Sequence, residues 1–187
     1  KYEKLDCFRW LLSKKAAGLV RHAGFSFHGS AQLLDEILTK HPEMEFVQLQ
    51  INYLDWESEW VQSRRCYEVA VKHKKPVIVM EPVKGGTLAK VPKNAEKLFR
   101  DREPELSVSS WAIRFAASLD NVMMVLSGMS TLEQMEDNLS YMENFRPLTE
   151  EEKKLTAQVA DIINEKTAIP CTGCSYCTEG CPQKIAI

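Results

Sequence analysis

Four cysteines near the end of the chain share a spacing that is typical of a metal site: Cys171, Cys174, Cys177 and Cys181. With Pro182 they form the run Cys-x2-Cys-x2-Cys-x3-Cys-Pro, which is the cysteine pattern of bacterial ferredoxins. Three thiolates at this spacing can wrap one cube of iron and sulfide, and Gly173 and Gly180 permit the tight backbone turns between them. The run therefore predicts a [4Fe–4S] cluster bound by these four cysteines.

Other uses of the cysteines are weaker interpretations. Zinc normally takes two separated Cys-x2-Cys pairs rather than four cysteines in one strip. A disulfide framework is disfavoured because Cys7 and Cys66 stand alone in helical patterns. In two-cluster ferredoxins the fourth cysteine of the run binds the other cluster, so the first cube would need a remote ligand. Cys66 is the alternative for that position.

A repeating unit of short apolar runs and amphipathic stretches precedes the cysteines. The runs at 18–27, 45–51, 76–80 and 121–126 predict buried parallel strands. Apolar residues at helical spacing predict helices over 2–14, 30–40, 58–73, 107–118 and 150–166, and one more that starts at Ser130. Ser130 and Glu133 have the spacing of a capping box, and Thr149 is the expected N-cap of the last helix.

Alternating strands and helices predict a parallel α/β fold. A (β/α)8 TIM barrel takes about 250 residues, so we interpret the chain as the second half of such a barrel, four parallel strands with helices, plus a C-terminal ferredoxin-like cysteine segment. A doubly wound open sheet is the alternative. The expected divisions are 1–147 for the half barrel, 148–169 for a packing helix and 170–187 for the cluster segment.

A half barrel would leave two strand edges unpaired. Either the other half lies upstream in a longer chain, which we favour, or two copies of the chain close the sheet. The chain begins with neither an initiator Met nor the apolar stretch of a signal peptide, in keeping with residues having preceded it.

Bulk composition excludes several classes of function. The 187 residues carry 24 basic and 26 acidic side chains, a formal net charge of −2, which does not favour a nucleic acid or an anionic membrane as partner. No apolar run approaches the roughly 20 residues that span a bilayer. The composition and the grouped cysteines predict a cytoplasmic enzyme with a metal site.

Four phrases in register carry a family resemblance: GLVRHAGFSFHG, FVQLQINYL, PVIVMEPVKGGTL and VLSGMSTLEQMEDNL. In this order the chain resembles the second half of the aldo/keto reductases, and especially those members that carry a C-terminal ferredoxin-type segment. The resemblance covers residues 5–187. It implies a barrel that binds NADP or NAD at the carboxyl ends of its strands and reduces a small-molecule carbonyl substrate by hydride transfer.

The resemblance implies roles for the residues that end the first three strands. Ser26 and Gln48 match the residues that hold the nicotinamide carboxamide. Met80 stands where many members stack a tyrosine on the nicotinamide ring, and Glu81 and Pro82 fall in the turn around the cofactor.

The loop after the fourth strand matches the site of the adenosine phosphate, and the helix that follows matches the adenine end of the cofactor. The phosphate residues are Gly128, Met129 and Ser130, and the helix residues are Gln134, Asp137 and Asn138. A loop that opens a helix also offers free N–H groups and a positive dipole to a phosphate. Because NADP-preferring members often place a lysine where this chain has Gly128, the choice between NADP and NAD stays open.

The catalytic Asp, Tyr, Lys and His of the family lie on the first four strands, so no catalytic residue is assigned in this chain. An electron-transfer protein or a flavin is an expected partner, because a cluster passes single electrons whereas a nicotinamide passes hydride. The alternative function is an electron-transfer or redox-sensing iron–sulfur module on a non-catalytic barrel. The oligomeric state stays open.

Overall fold

The computed structural model describes residues 3–167, so the predicted cluster ligands Cys171, Cys174, Cys177 and Cys181 lie outside the described residues. Strands and helices alternate along this range. In order they are α1 (Cys7–Ala16), β1 (Gly24–Phe27), α2 (Ala31–Lys40), β2 (Phe46–Gln50), α3 (Ser63–Lys72), β3 (Val77–Met80), α4 (Lys93–Arg102), α5 (Val108–Ala117), β4 (Val122–Val125), α6 (Leu132–Met142) and α7 (Glu150–Lys166). None of the helices in this range is both long and apolar enough to cross a bilayer.

The described residues divide into two compact units. One comprises 3–82 and 116–126, and it contains all four strands. The other comprises 83–115 and 127–167.

The four strands form one parallel sheet in the order β1-β2-β3-β4. Four parallel strands in an α/β fold were predicted, and this is confirmed. The spatial order follows the chain without the reversal that marks a doubly wound sheet, as in part of a (β/α)8 barrel. The sheet begins later than predicted, because Gly18 has φ +73° and residues 18–23 form turns and irregular backbone.

The two faces of the sheet differ in burial. On one face Val47, Leu49, Val77 and Val79 are almost completely buried. Residues of β2 and β3 on the other face, such as Gln48 and Met80, are half-buried in the described structure. Since side chains alternate along a strand, this second face presents polar side chains at the carboxyl ends of the strands.

Glu45 ties together the amino ends of β1 and β2. Its carboxylate accepts a hydrogen bond from Lys15 Nζ at 2.6 Å and one from the Ala23 N–H at 2.8 Å, and His22 Nδ1 lies 3.1 Å away. The Lys15 hydrogen bond, with those from Ala23 and His22, lowers the pKa of Glu45 to about 2. The carboxylate therefore stays ionised through the neutral range.

Three of the predicted helix starts are wrong. The helix predicted over 2–14 begins at Cys7, because Asp6 has φ 53°. The helix predicted over 58–73 begins at Ser63, because Gln62 has φ 55° and a residue in that conformation cannot continue a right-handed helix. The capping box predicted at Ser130 does not form. The Thr131 hydroxyl accepts the N–H of Gln134 at 3.3 Å, so Thr131 caps α6.

The helix α4 was not predicted at all. It lies between β3 and α5, where the repeating unit suggested one helix rather than two. Only Ala95 and Phe99 of α4 are buried, which is a weak apolar stripe in a strongly charged segment. Phe99 stacks on Trp111 of α5 with ring centroids 4.6 Å apart.

The last helix, α7, begins as predicted. The Thr149 hydroxyl accepts the N–H of Glu152 at 3.3 Å, and the Glu152 carboxylate accepts the N–H of Thr149 at 2.8 Å, so the two residues form a capping box. Val159 and Ile163 of the predicted apolar stripe are buried. α7 packs on α4.

Ion pairs join the start of α7 to α4 and α5. Glu152 is 1% exposed and lies 3.1 Å from Arg146, which also pairs with Glu103 at 2.9 Å. Glu103 pairs in turn with Arg114, which is 3% exposed. The charges of this cluster thus alternate in sign from one partner to the next, and Arg146 is its half-exposed member.

Candidate functional site at the carboxyl ends of the strands

Three of the predicted site residues meet at the ends of β1, β2 and β3. The Ser26 hydroxyl donates to the Met80 sulfur at 3.6 Å, and Gln48 Nε2 donates to the same sulfur at 3.3 Å. Ser26 and Gln48 are direct partners in the register of β1 and β2. The parallel sheet thus places one hydroxyl, one amide and one thioether on the same face.

His28 extends this group beyond the end of β1. Its Nε2 lies 3.3 Å from the Ser26 hydroxyl oxygen, and the ring is exposed. When Ser26 donates its proton to Met80, the same oxygen can accept from His28 Nε2. The structure thus places this histidine against Ser26.

A buried polar cluster that the sequence did not reveal follows β2. Asn52 is completely buried and Asp55 is 5% exposed. Asp55 Oδ2 accepts hydrogen bonds from Gln50 Nε2 and Asn52 Nδ2, both at 2.9 Å. Asn52 Nδ2 also donates to the carbonyl oxygen of Glu81, at 3.1 Å, so the cluster contacts the predicted Glu81–Pro82 turn.

The loop after β4 is held by the helix that follows it. The Ser130 N–H donates to Gln134 Oε1 at 2.7 Å, and Asn138 Nδ2 donates to the Ser127 hydroxyl at 2.9 Å. Asn138 Oδ1 accepts from the Tyr141 hydroxyl. Gln134 and Asn138, both predicted to face the adenine, therefore contact the loop in this structure.

The other residues predicted around that loop differ in their surroundings. A Cβ built at Gly128 meets no atom within 4 Å, and Met129 is 40% exposed. Asp137 Oδ2 accepts from the hydroxyls of Ser107 at 2.6 Å and Ser109 at 3.2 Å. The Asp137 carboxylate thus binds the start of α5.

Comparison with known proteins decides the family. The sequence profile of the aldo/keto reductase family matches residues 3–161. The chain belongs to the aldo/keto reductase family. No curated protein matches it at a significant level.

Solved aldo/keto reductases share the fold. The holo form of aldo-keto reductase AKR11C1 from Bacillus halodurans superposes with a TM-score of 0.64 at 21% identity, covering 81% of this chain and 54% of that one. An aldo/keto reductase from Klebsiella pneumoniae, in complex with NADP and acetate, gives 0.62 at 14% identity, covering 82% and 52%. The chain spans about half the length of these structures.

The donor set at the strand ends of this aldo/keto reductase chain fits a nicotinamide carboxamide. A carboxamide carries both a donor NH2 and an acceptor oxygen. The Gln48 side chain also carries both groups, and the Ser26 hydroxyl can act either way. Across the β2 register the half-buried thioether of Met80 supplies an apolar, polarisable contact.

The described part of the chain offers no metal site: within residues 3–167 no group of three His, Cys, Asp or Glu side chains could hold an ion. Cys66, the alternative remote cluster ligand, is 4% exposed and its thiol lies 3.7 Å from the carbonyl oxygen of Gly29. Burial raises the pKa of this thiol to about 11. Because the thiolate is the form that binds metal, the surroundings of Cys66 disfavour ligation.

Proposed function

We propose that this chain is the nicotinamide-binding second half of an iron–sulfur oxidoreductase of the aldo/keto reductase type. The observation that carries the proposal is the meeting of Ser26 and Gln48 on Met80, in a chain of this family. Bound NADPH or NADH would supply a hydride to the carbonyl carbon of a small-molecule substrate, and the carbonyl oxygen would take a proton.

The residues of this chain would bind and orient the cofactor. Ser26 and Gln48 would hold the carboxamide, which fixes the rotation of the nicotinamide ring. Met80 would lie against the ring, and the Glu81–Pro82 turn would border it. Orientation of this kind accelerates hydride transfer because it removes the entropic cost of alignment from the chemical step.

The loop after β4 would take the adenosine phosphate. Gly128, Met129 and Ser130 lead into the N-terminus of α6, where the helix dipole favours an anion. Gln134 and Asn138 would hold the loop in its conformation, and Asp137 would bind α6 to the start of α5. NADP is the cofactor named for the Klebsiella pneumoniae relative, and both NADP and NAD are candidates here.

Titration with the two reduced cofactors tests the nicotinamide proposal. We expect NADPH or NADH to bind, and Gln48→Leu, which keeps the size of the side chain but removes its amide, to weaken binding by about tenfold. Glu57→Gln on the exposed surface is the matched control. If the intact protein binds neither cofactor, the reductase proposal fails and the electron-transfer function is favoured instead.

A [4Fe–4S] cluster on Cys171, Cys174, Cys177 and Cys181 completes the proposal, and it rests on the ferredoxin spacing alone. Such a cluster would exchange single electrons with a flavin or an electron-transfer protein, in the reducing cytoplasm. Anoxic purification should give about four irons and four acid-labile sulfides per chain, and Cys174→Ser should lower both. A preparation that holds zinc instead would contradict the cluster.

A further inference from the structure

The sheet ladder between β2 and β3 is extended by a side chain. The Ile51 N–H donates to the Met80 carbonyl oxygen at 3.2 Å, just beyond the last strand pair. At the next position the side-chain amide of Asn52, rather than a backbone N–H, donates to the Glu81 carbonyl oxygen at 3.1 Å. Asn52 therefore adds a side-chain hydrogen bond beyond the end of the backbone ladder.

Asp55 fixes the orientation of this amide. The Asp55 N–H donates to Asn52 Oδ1 at 2.8 Å, and Asn52 Nδ2 donates to Asp55 Oδ2 at 2.9 Å. A flipped amide would set the Asn52 oxygen against the Asp55 carboxylate and the Glu81 carbonyl. Both side chains are buried, so water does not compensate for a lost bond.

The residue that Asn52 holds has an uncommon backbone conformation. Glu81 has φ 56°, in the left-handed region that residues with a Cβ disfavour. Glu81 directly follows Met80, whose sulfur accepts from Ser26 and Gln48. A change in the Glu81 peptide would therefore move the end of β3, where the proposed nicotinamide site lies.

We propose that Asn52, oriented by Asp55, is a positioning residue that clamps the Glu81 peptide in its left-handed conformation and so presets Met80 and Pro82 for the nicotinamide. The effect on cofactor binding rests on the proposed function. The clamp itself is a property of the fold and can be measured without any cofactor.

A double-mutant cycle in denaturant tests the clamp. Asn52→Ala should raise the unfolding equilibrium constant about tenfold or more. In a Glu81→Gly background its effect should be larger by at least about threefold, because Glu81 releases left-handed strain when the clamp is lost, whereas glycine has no such strain to release. Equal effects in the two backgrounds would overturn the clamp.

Two further variants keep this cycle decisive. Ser63→Ala is the matched control: the Ser63 hydroxyl donates to the Gln50 carbonyl at 2.8 Å in the same region but does not bond Glu81. Its effect should be equal in both backgrounds. If Asn52→Ala alone does not fold, the milder Asn52→Ser replaces it in the cycle, and equal effects of Asn52→Ser in the two backgrounds refute the clamp.

Cofactor titration then tests the positioning role. Asn52→Ala should weaken NADPH or NADH binding by about tenfold, whereas Ser63→Ala should change it by less than about threefold. An unchanged dissociation constant for Asn52→Ala overturns the positioning role. If the wild-type protein binds neither cofactor, the positioning role falls with the proposed function, whereas the unfolding cycle still decides the clamp.

Discussion

A lysine placed at Gly128 should convert the loop after β4 into a site that prefers NADPH. A Cβ at this position meets nothing within 4 Å, so a side chain can begin here without moving the backbone. The neighbouring Ser127 and Ser130 are held by Asn138 and Gln134, which keeps the loop in place. In the proposed binding mode the new ammonium group would lie near the 2′-phosphate, which NADPH has and NADH lacks.

The expected gain is set by a partly exposed charge pair. Two unit charges about 4 Å apart attract by about 4 kcal/mol at an effective dielectric constant of about 20. Exposure and the lost rotamer freedom of lysine reduce this, so that exposed pairs contribute about 0.2–1 kcal/mol and charge-assisted hydrogen bonds about 1.5–3 kcal/mol. We take about 1–2 kcal/mol, which is a roughly five- to thirtyfold tighter NADPH complex.

Fluorescence titration with NADPH and NADH at about 0.05 and 0.5 M salt measures this gain. The preference for NADPH should shrink at the higher salt, where the Debye length falls to a few ångströms, about 4 Å. Gly128→Gln, which is similar in length but uncharged, is the matched control and should leave the preference unchanged. An equal gain for NADH, or an equal gain with glutamine, would refute placement of the phosphate at this loop.

Three other perturbations address the ring contact, an ionised carboxylate and a helix cap. Met80→Tyr should tighten cofactor binding by about 0.5–1.5 kcal/mol through ring stacking, whereas Met80→Leu should not; weaker binding with tyrosine would contradict the ring contact. The lowered pKa of Glu45 stabilises the fold above the unfolded-state value of about 4.5, and that stability is lost as the pH falls toward about 2. The midpoint of thermal unfolding, measured by circular dichroism, should therefore fall less between about pH 5 and 2 in Glu45→Gln than in the wild-type protein. An unchanged fall would exclude Glu45 as its cause. Thr149→Ala should lower the free energy of unfolding, measured in urea, by about 1 kcal/mol. The control Ser140→Ala, at an exposed position of α6, should change it much less. An unchanged free energy of unfolding for Thr149→Ala would show that the α7 cap is redundant.

The regular parts of this fold were predictable because they follow local rules. The four strands show the short apolar runs of a parallel sheet, and their parallel pairing follows from the helices between them. Thr149 could be recognised as an N-cap because a capping box is a pattern within four residues. The family resemblance selected Ser26, Gln48 and Met80 at the ends of neighbouring strands, but the contacts of Ser26 and Gln48 with the Met80 sulfur were not predicted.

The features that escaped prediction depend on backbone conformation or on contacts distant in sequence. Gln62 at φ 55° ends any helix before Ser63, but glutamine is not a residue that signals positive φ. The bond from Asn52 to Glu81 joins residues 29 positions apart, which no periodicity reveals. The available signal was Asn-x-x-Asp directly after a strand, since Asn and Asp often bond nearby backbone groups in turns.

The ion pair between Glu103 and the buried Arg114, which belongs to the cluster at the start of α7, constrains how this sequence can evolve. Removing one partner leaves an uncompensated buried charge at a cost of about 3–5 kcal/mol, whereas apolar replacement of a whole cluster can be neutral. Arg114, at 3% exposure, and its partner Glu103 can therefore be exchanged only together or through a short-lived, unstable intermediate sequence. In homologous chains we expect these two positions to covary.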